Sequence, residues 1–167
     1  MVTKWNFLIV DDDSEILSLL KETFEAEGFL GDSVVSCTTV SDFTDALKLV
    51  ESSGFDLIVL DLQDDGEDGA RGGERGFSGE RVLNSLKEHR FTPVVFHTGY
   101  ADKIKDLESR FVKVVRKGAP DELADAVKAA FSTKLPSLMR HIQEEQRKYL
   151  WDHVENKWGD SEELNEE

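Results

Sequence analysis

The stretch FLIVDDDSEIL (Phe7–Leu17) runs four apolar residues straight into three adjacent aspartates. Four consecutive apolar side chains suit a strand buried on both faces, as the strands of parallel sheets are. Carboxylates as close as Asp11, Asp12 and Asp13 repel one another unless water separates them or a cation sits among them. Ser14 stands where a helix N-cap belongs, and Ile16, Leu17, Leu20 and Phe24 follow at helical spacing until Gly28. A buried strand that ends in acids and passes directly into a helix is the opening unit of an open α/β fold. In such folds ligands bind outside the carboxyl ends of the strands.

The same alternation continues outward. Apolar runs of strand length recur at 34–37 (VVSC), 57–60 (LIVL), 93–96 (PVVF) and 111–115 (FVKVV). Between them, Ser41 is placed to cap a helix carrying Phe43, Ala46, Leu47 and Val50, and Gly79 to His89 carries Val82, Leu83 and Leu86. A weaker helix is expected over Ala101 to Ser109, with Ile104 and Leu107, and a stronger one over Asp121 to Phe131, with Leu123, Ala126, Val127 and Ala130. Five strand–helix units predict an α/β fold: a five-stranded parallel sheet with helices on both faces and right-handed crossovers.

Three segments fall outside that rhythm. Residues 64–78 form a glycine-rich acidic insertion, which glycine and charge together predict to be a loop. Residues 132–159 predict an appended amphipathic helix opened by Pro136, with Leu135, Leu138, Ile142, Tyr149, His153 and Val154 near one face. Residues 160–167, DSEELNEE, are too acidic to bury a core and are expected to be disordered. The first domain is therefore expected to span 1–131.

Composition narrows the function. Of 167 residues, 39% are hydrophobic and 33% charged, and no apolar run approaches the roughly 20 residues needed to span a bilayer. The N-terminal residues read as a first strand rather than a signal peptide, so the expected compartment is the cytoplasm. A lone cysteine, Cys37, permits no internal disulfide and reads as a buried strand thiol. A net charge of −15 opposes attraction to nucleic acid or anionic lipid, so neither nucleic acid nor membrane is an expected partner.

The residues just past each apolar run are Asp11 and Asp12, then Asp61, Thr98 and Lys117. Three acids converging at one mouth favour a hard dication held by oxygen ligands, and Mg²⁺ suits one or two carboxylates, a carbonyl and waters. The metal set is then Asp11, Asp12, Asp61 and the backbone carbonyl of Gln63, with Asp13 left to solvent. A carboxylate beside Mg²⁺ is able to attack an activated phosphorus, while a lysine neutralises the charge that develops on the phosphoryl oxygens. Lys117 supplies that charge and Thr98 a hydroxyl donor. His97, among apolar neighbours, reads as a structural residue. Each of these residues alone has a plainer reading as helix cap, strand end or surface charge; together, at matching strand ends, they favour the site.

FLIVDDDSEIL, FDLIVLDLQ, PVVFHTGY and VVRKGAP resemble the signature segments of the receiver domain of two-component response regulators, over about residues 5–131. The resemblance implies a flavodoxin-like fold with sheet order 2-1-3-4-5 and a phosphorelay function: a histidine kinase or phosphotransfer protein gives a phosphoryl group to Asp61. It further implies Mg²⁺ on Asp11, Asp12, Asp61 and the Gln63 carbonyl, with Thr98 and Lys117 on the phosphoryl group. The pattern departs from the family in the long loop after Asp61, in Gly118 and Ala119 standing between Lys117 and Pro120, and in Val114, where an aromatic residue is usual. The segment after Phe131 is short and acidic, so no DNA-binding output domain is expected, and no enzymatic turnover.

The competing reading is a pseudo-receiver that is never phosphorylated and acts as a protein-interaction module. A metal-dependent phosphohydrolase of the haloacid-dehalogenase type would need an acid where Gln63 stands, and a flavodoxin's flavin phosphate would be repelled by the aspartates after the first strand. With no effector domain, output is expected from the receiver surface and from the C-terminal helix, which would dock on a protein partner or a second copy of the chain.

Overall fold

The structure, a computed structural model, describes residues 1–63 and 77–158. The insertion at 64–78 therefore lies almost wholly, and the tail at 160–167 wholly, outside the described residues. The chain divides into two units, residues 1–130 and 131–167.

The first unit holds five parallel strands: β1 (Lys4–Val10), β2 (Val34–Val40), β3 (Leu57–Leu60), β4 (Val94–Thr98) and β5 (Val112–Arg116). They lie in the order β2-β1-β3-β4-β5, as expected. Four helices connect or follow them: α1 (Ser14–Glu25), α2 (Phe43–Ser52), α3 (Ser78–His89) and α4 (Pro120–Phe131). Because successive strand residues point to opposite faces, the sheet builds two cores. Leu8, Val10, Ile58, Leu60, Val94 and Phe96 pack with Ala46 and Val50 of α2 and Val82, Leu83 and Leu86 of α3. On the other face Phe7 meets Phe24 of α1 edge to face, with ring centroids 5.8 Å apart, and Leu17, Leu20, Leu123 and Val127 are buried.

Both expected serine caps move by one residue. Asp13, not Ser14, caps α1: its Oδ1 accepts from the amides of Glu15 at 2.9 Å and Ile16 at 3.4 Å. Asp42, not Ser41, caps α2 in the same way, accepting from Thr44 and Asp45 at 2.8 and 3.0 Å. A carboxylate at this position accepts two amides and also places negative charge at the positive end of the helix. The expected helix over Ala101 to Ser109 is instead two 3₁₀ turns, Ala101–Lys103 and Lys105–Leu107. Between them Ile104 is fully buried with φ −128° and ψ 17°, so one apolar anchor is seated at the expense of a continuous helix.

Cys37 lies buried in β2, its amide donating to Glu25 Oε1 at 2.8 Å. Burial, aided by the Glu25 charge, pushes its thiol up to about 12. Since the thiolate is the reactive form, iodoacetamide at neutral pH should leave Cys37 unmodified in the folded chain and alkylate it fully in denaturant. Equal labelling rates in the two states would refute that placement.

The second unit is one helix, α5 (Leu135–Trp158). Leu138, Ile142, Tyr149, Leu150, Trp151 and Val154 are exposed along it, and Tyr149 stacks on His153 with ring centroids 5.7 Å apart. No helix among the described residues is long and apolar enough to cross a membrane.

Candidate functional site

Four of the five strand ends carry the residues singled out above, and the sheet itself fixes their positions. The ladder runs one residue past the strands: Asp11 N–H donates to the Val40 carbonyl at 3.2 Å, Asp61 N–H to Val10 at 2.9 Å, and Lys117 N–H to Thr98 at 3.0 Å. Each side chain is thereby held by a rigid neighbour rather than by a loop. The carboxylates of Asp11, Asp12 and Asp61 offer oxygens that all lie within 4.8 Å of one another. Asp11 and Asp61 are 2% and 7% exposed, whereas Asp12 is open to solvent.

Lys117 reaches across from the end of β5. Its Nζ lies 2.8 Å from Asp11 Oδ2 and 3.0 Å from Asp61 Oδ2. The second oxygen of each acid is also occupied: Asp11 Oδ1 accepts from the Asp13 amide at 2.9 Å, and Asp61 Oδ1 from the Leu62 amide at 2.8 Å. Burial pushes the Asp11 carboxyl above its ordinary value, against the Lys117 and Asp13 hydrogen bonds that lower it. Burial alone would push the Lys117 ammonium down, but hydrogen bonds and charge from Asp11 and Asp61 together hold it above its usual value. Three carboxylates facing one ammonium leave a surplus of negative charge, and every donor is a hard oxygen. That donor set fits Mg²⁺.

Thr98 ends β4 fully buried, and its Oγ1 accepts from the Tyr100 amide at 3.1 Å. Gln63 is the one non-glycine with positive φ among the described residues, at 42°, a conformation found at constrained sites. His97 is buried on β4, and its Nδ1 has no hydrogen-bond partner among the described residues. Burial pushes its imidazole below the usual value, and the Lys117 charge adds to that. Val114 on β5 pairs with Phe96 and packs half-buried against the core.

Two further residues support the mouth without having been singled out. Gly79, the second residue of α3, packs against the backbone of the phosphoacceptor candidate. A Cβ there would overlap the Asp61 carbonyl oxygen and stand 2.9 Å from Leu62 Cα. Its amide also donates to the Leu62 carbonyl at 3.0 Å. The Tyr100 ring lies tilted against that of Phe77, the residue that precedes α3.

The family model of the response regulator receiver domain matches residues 7–128. This chain belongs to the response regulator receiver domain family. Among curated relatives of this receiver, the heme response regulator HssR of Staphylococcus aureus is 30% identical over 105 residues, covering 63% of this chain and 39% of that protein. The chain thus spans about two fifths of that relative's length. Among solved structures, the response regulator TrrA of Thermotoga maritima, in complex with Mg²⁺-BeF, matches at 29% identity and TM-score 0.56. That match covers 75% of this receiver and 98% of TrrA. TrrA bound to the histidine kinase ThkA matches at 27% identity and TM-score 0.56, covering 75% and 97%. The four segments that carry the site, ending in Asp11–Asp12, Asp61, Thr98 and Lys117, all fall within residues 7–128.

Proposed function

We propose that this receiver accepts a phosphoryl group on Asp61 from a histidine kinase or a phosphotransfer protein in two-component signalling. The observation that carries this reading is the double contact of Lys117 with Asp11 and Asp61 beside the exposed Asp12. Asp61 attacks phosphorus in line; the new bond is Asp61 O–P, the bond broken is phosphorus to the donor nitrogen, and the donor imidazole leaves with that electron pair. Asp11, Asp12, Asp61 and the Gln63 carbonyl would hold Mg²⁺, which when bound supplies positive charge to the phosphoryl oxygens. Lys117, already donating to Asp61 Oδ2, is placed to stabilise the charge on the phosphoryl oxygens as the acyl phosphate forms. Thr98 donates its hydroxyl to the same group. The chain phosphorylates itself and then carries a state, so it is a signalling element and not an enzyme acting on a separate substrate.

The domain division proposed is a receiver at 1–131 interrupted by the 64–78 insertion, a helical extension at 132–159 and an acidic tail at 160–167. A cytoplasmic location belongs to the same reading, and the net charge of −15 disfavours nucleic acid as a partner of these residues. Output then passes through the Thr98–Ala101 loop and through α5, whose exposed Leu138, Ile142, Tyr149 and Val154 would dock on a protein partner or a second copy. Deleting residues 137–167 should leave phosphorylation of Asp61 intact and abolish self-association or partner capture. Unaltered association in the truncated chain, in both phosphorylation states, would remove α5 from the output.

The experiment that tests the function is incubation with acetyl phosphate, with and without Mg²⁺, followed by peptide mapping. An acid-stable, base-labile label on Asp61 that requires Mg²⁺ is the expected result; no label under any condition would favour the pseudo-receiver. A companion titration bears on the metal set. Asp12 offers its carboxylate to solvent and therefore to an incoming ion, so Asp12→Ala should weaken Mg²⁺ binding by about tenfold or more, the loss of one hard ligand and one charge. Unchanged affinity would show the ion to sit elsewhere.

A further inference from the structure

Tyr100 joins the two loops that flank Asp61. Its amide donates to Thr98 Oγ1 at 3.1 Å, and its carbonyl accepts from the Lys103 amide at 2.9 Å. Its ring, 40% exposed, lies 5.9 Å from that of Phe77 at a tilt of 38°. The Lys103 ammonium sits over both rings, 4.9 Å from the Tyr100 centroid and 5.8 Å from that of Phe77. Phe77 is only 4% exposed and leads directly into α3, where Gly79 packs on the Asp61 backbone. The backbone of Tyr100 is thus tied to the hydroxyl on one side of the phosphoacceptor, and its ring to the loop on the other.

Two anchors on separate loops make a coupling. A hydroxyl has one donor and two acceptor positions, so Thr98 is able to donate to a phosphoryl oxygen while still accepting the Tyr100 amide. Any movement of Thr98 toward Asp61 therefore draws the Tyr100 backbone with it. Phe77 cannot follow, because the helix it begins is wedged against Asp61 through Gly79. Val114, paired with Phe96, offers no ring from β5 to take up the displacement.

We propose that Tyr100 reports the state of Asp61, its ring leaving the Phe77–Lys103 stack when Thr98 engages a phosphoryl oxygen. The inference rests on the phosphoacceptor reading given above and assigns the residue that turns phosphorylation into a change of surface. Release of the ring uncovers the Phe77 face, so the phosphorylated receiver presents a new apolar patch beside its site.

The chain has two tyrosines, so a Tyr149→Phe background labelled with meta-fluorotyrosine leaves Tyr100 as the sole reporter for fluorine NMR. Phosphorylation by acetyl phosphate and Mg²⁺ should move that resonance. By linkage, anything that loosens the stack must also favour the phosphorylated state. Phe77→Leu and Lys103→Gln should therefore each bind beryllium fluoride, a phosphoryl analogue, about fivefold more tightly in the presence of Mg²⁺. Lys103 is exposed, so its variant tests the coupling without removing a buried side chain. A stationary Tyr100 resonance in protein whose Asp61 is shown by mass to be phosphorylated overturns the switch and leaves the phosphoacceptor reading standing. Unchanged beryllium fluoride affinity in both variants overturns it equally, and an Asp61 that takes no phosphoryl group overturns both readings together.

Discussion

Asp61→Asn should reduce acetyl phosphate labelling to background, while the protein stays folded. The carboxamide keeps the shape of the side chain, and its single oxygen still offers Lys117 an acceptor, but the amide nitrogen that replaces the other oxygen cannot accept the Leu62 amide. What is lost is the anionic oxygen, and with it the nucleophile: an amide oxygen does not attack phosphorus at a useful rate. Stability should change little. The charge-assisted hydrogen bond from Lys117 at 3.0 Å becomes a neutral-acceptor bond and the Leu62 amide loses its acceptor, each a loss of roughly 1 kcal/mol. Against these losses stands the removal of one of two buried like charges that share Lys117. Equal thermal midpoints with total loss of label would place the effect in the chemistry. Full labelling retained in Asp61→Asn, with the phosphate mapped to another side chain, would end the assignment of Asp61.

Much of this site was legible because its residues stand at abrupt boundaries. Phe7–Val10 and Leu57–Leu60 are unbroken apolar runs, so the first polar residue after each had to lie at a strand end. A parallel sheet brings those ends to one edge, which is how Asp11 and Asp61, fifty residues apart, come to share Lys117. The strand order and the parallel arrangement follow from the same pattern together with the resemblance of the four motifs. Local ambiguity explains the smaller departures. Ser14 and Asp13, like Ser41 and Asp42, are adjacent residues that are both able to cap, and the choice depends on where the backbone leaves its extended conformation. The turns after Gly99 form because seating Ile104 outweighs the weak helical preference of a segment with only two apolar anchors.

What the sequence conceals is contact between loops. Nothing local ties Tyr100 to Phe77, and their ring contact exists only because β3 and β4 are neighbours in the sheet. Gly79 did leave a trace. Glycine costs about 1 kcal/mol relative to alanine inside a helix, yet it occupies the second position of α3 in a segment whose other residues suit a helix well. A glycine that propensity disfavours and no positive φ requires marks a close approach of backbone.

Gly79→Ala is for that reason the substitution expected to do most harm to the fold at this site. Helical propensity alone predicts a gain of up to about 1 kcal/mol. Packing predicts the reverse, because the new methyl group would overlap the Asp61 carbonyl oxygen, with Leu62 Cα at 2.9 Å and the Asp61 carbonyl carbon at 3.1 Å. These are backbone atoms of a strand end whose amide is bonded to Val10, so they cannot swing aside as a flexible side chain would. Either α3 shifts outward, loosening Val82, Leu83 and Leu86 in the core, or the Asp61 backbone moves and the carboxylate leaves Lys117. Overpacking of this kind costs about 3 kcal/mol or more, which exceeds the propensity gain and amounts to a drop of roughly 10 °C in thermal midpoint. Gly99→Ala is the matched control, since a Cβ there has no atom within 4 Å although it sits at the same mouth beside Thr98. Its midpoint should stay within a degree or two of the parent's, as a surface substitution does. Equal midpoints for the Gly79 and Gly99 variants would mean that α3 does not rest on the Asp61 backbone, and the wedge that holds Phe77 in place would be lost with it.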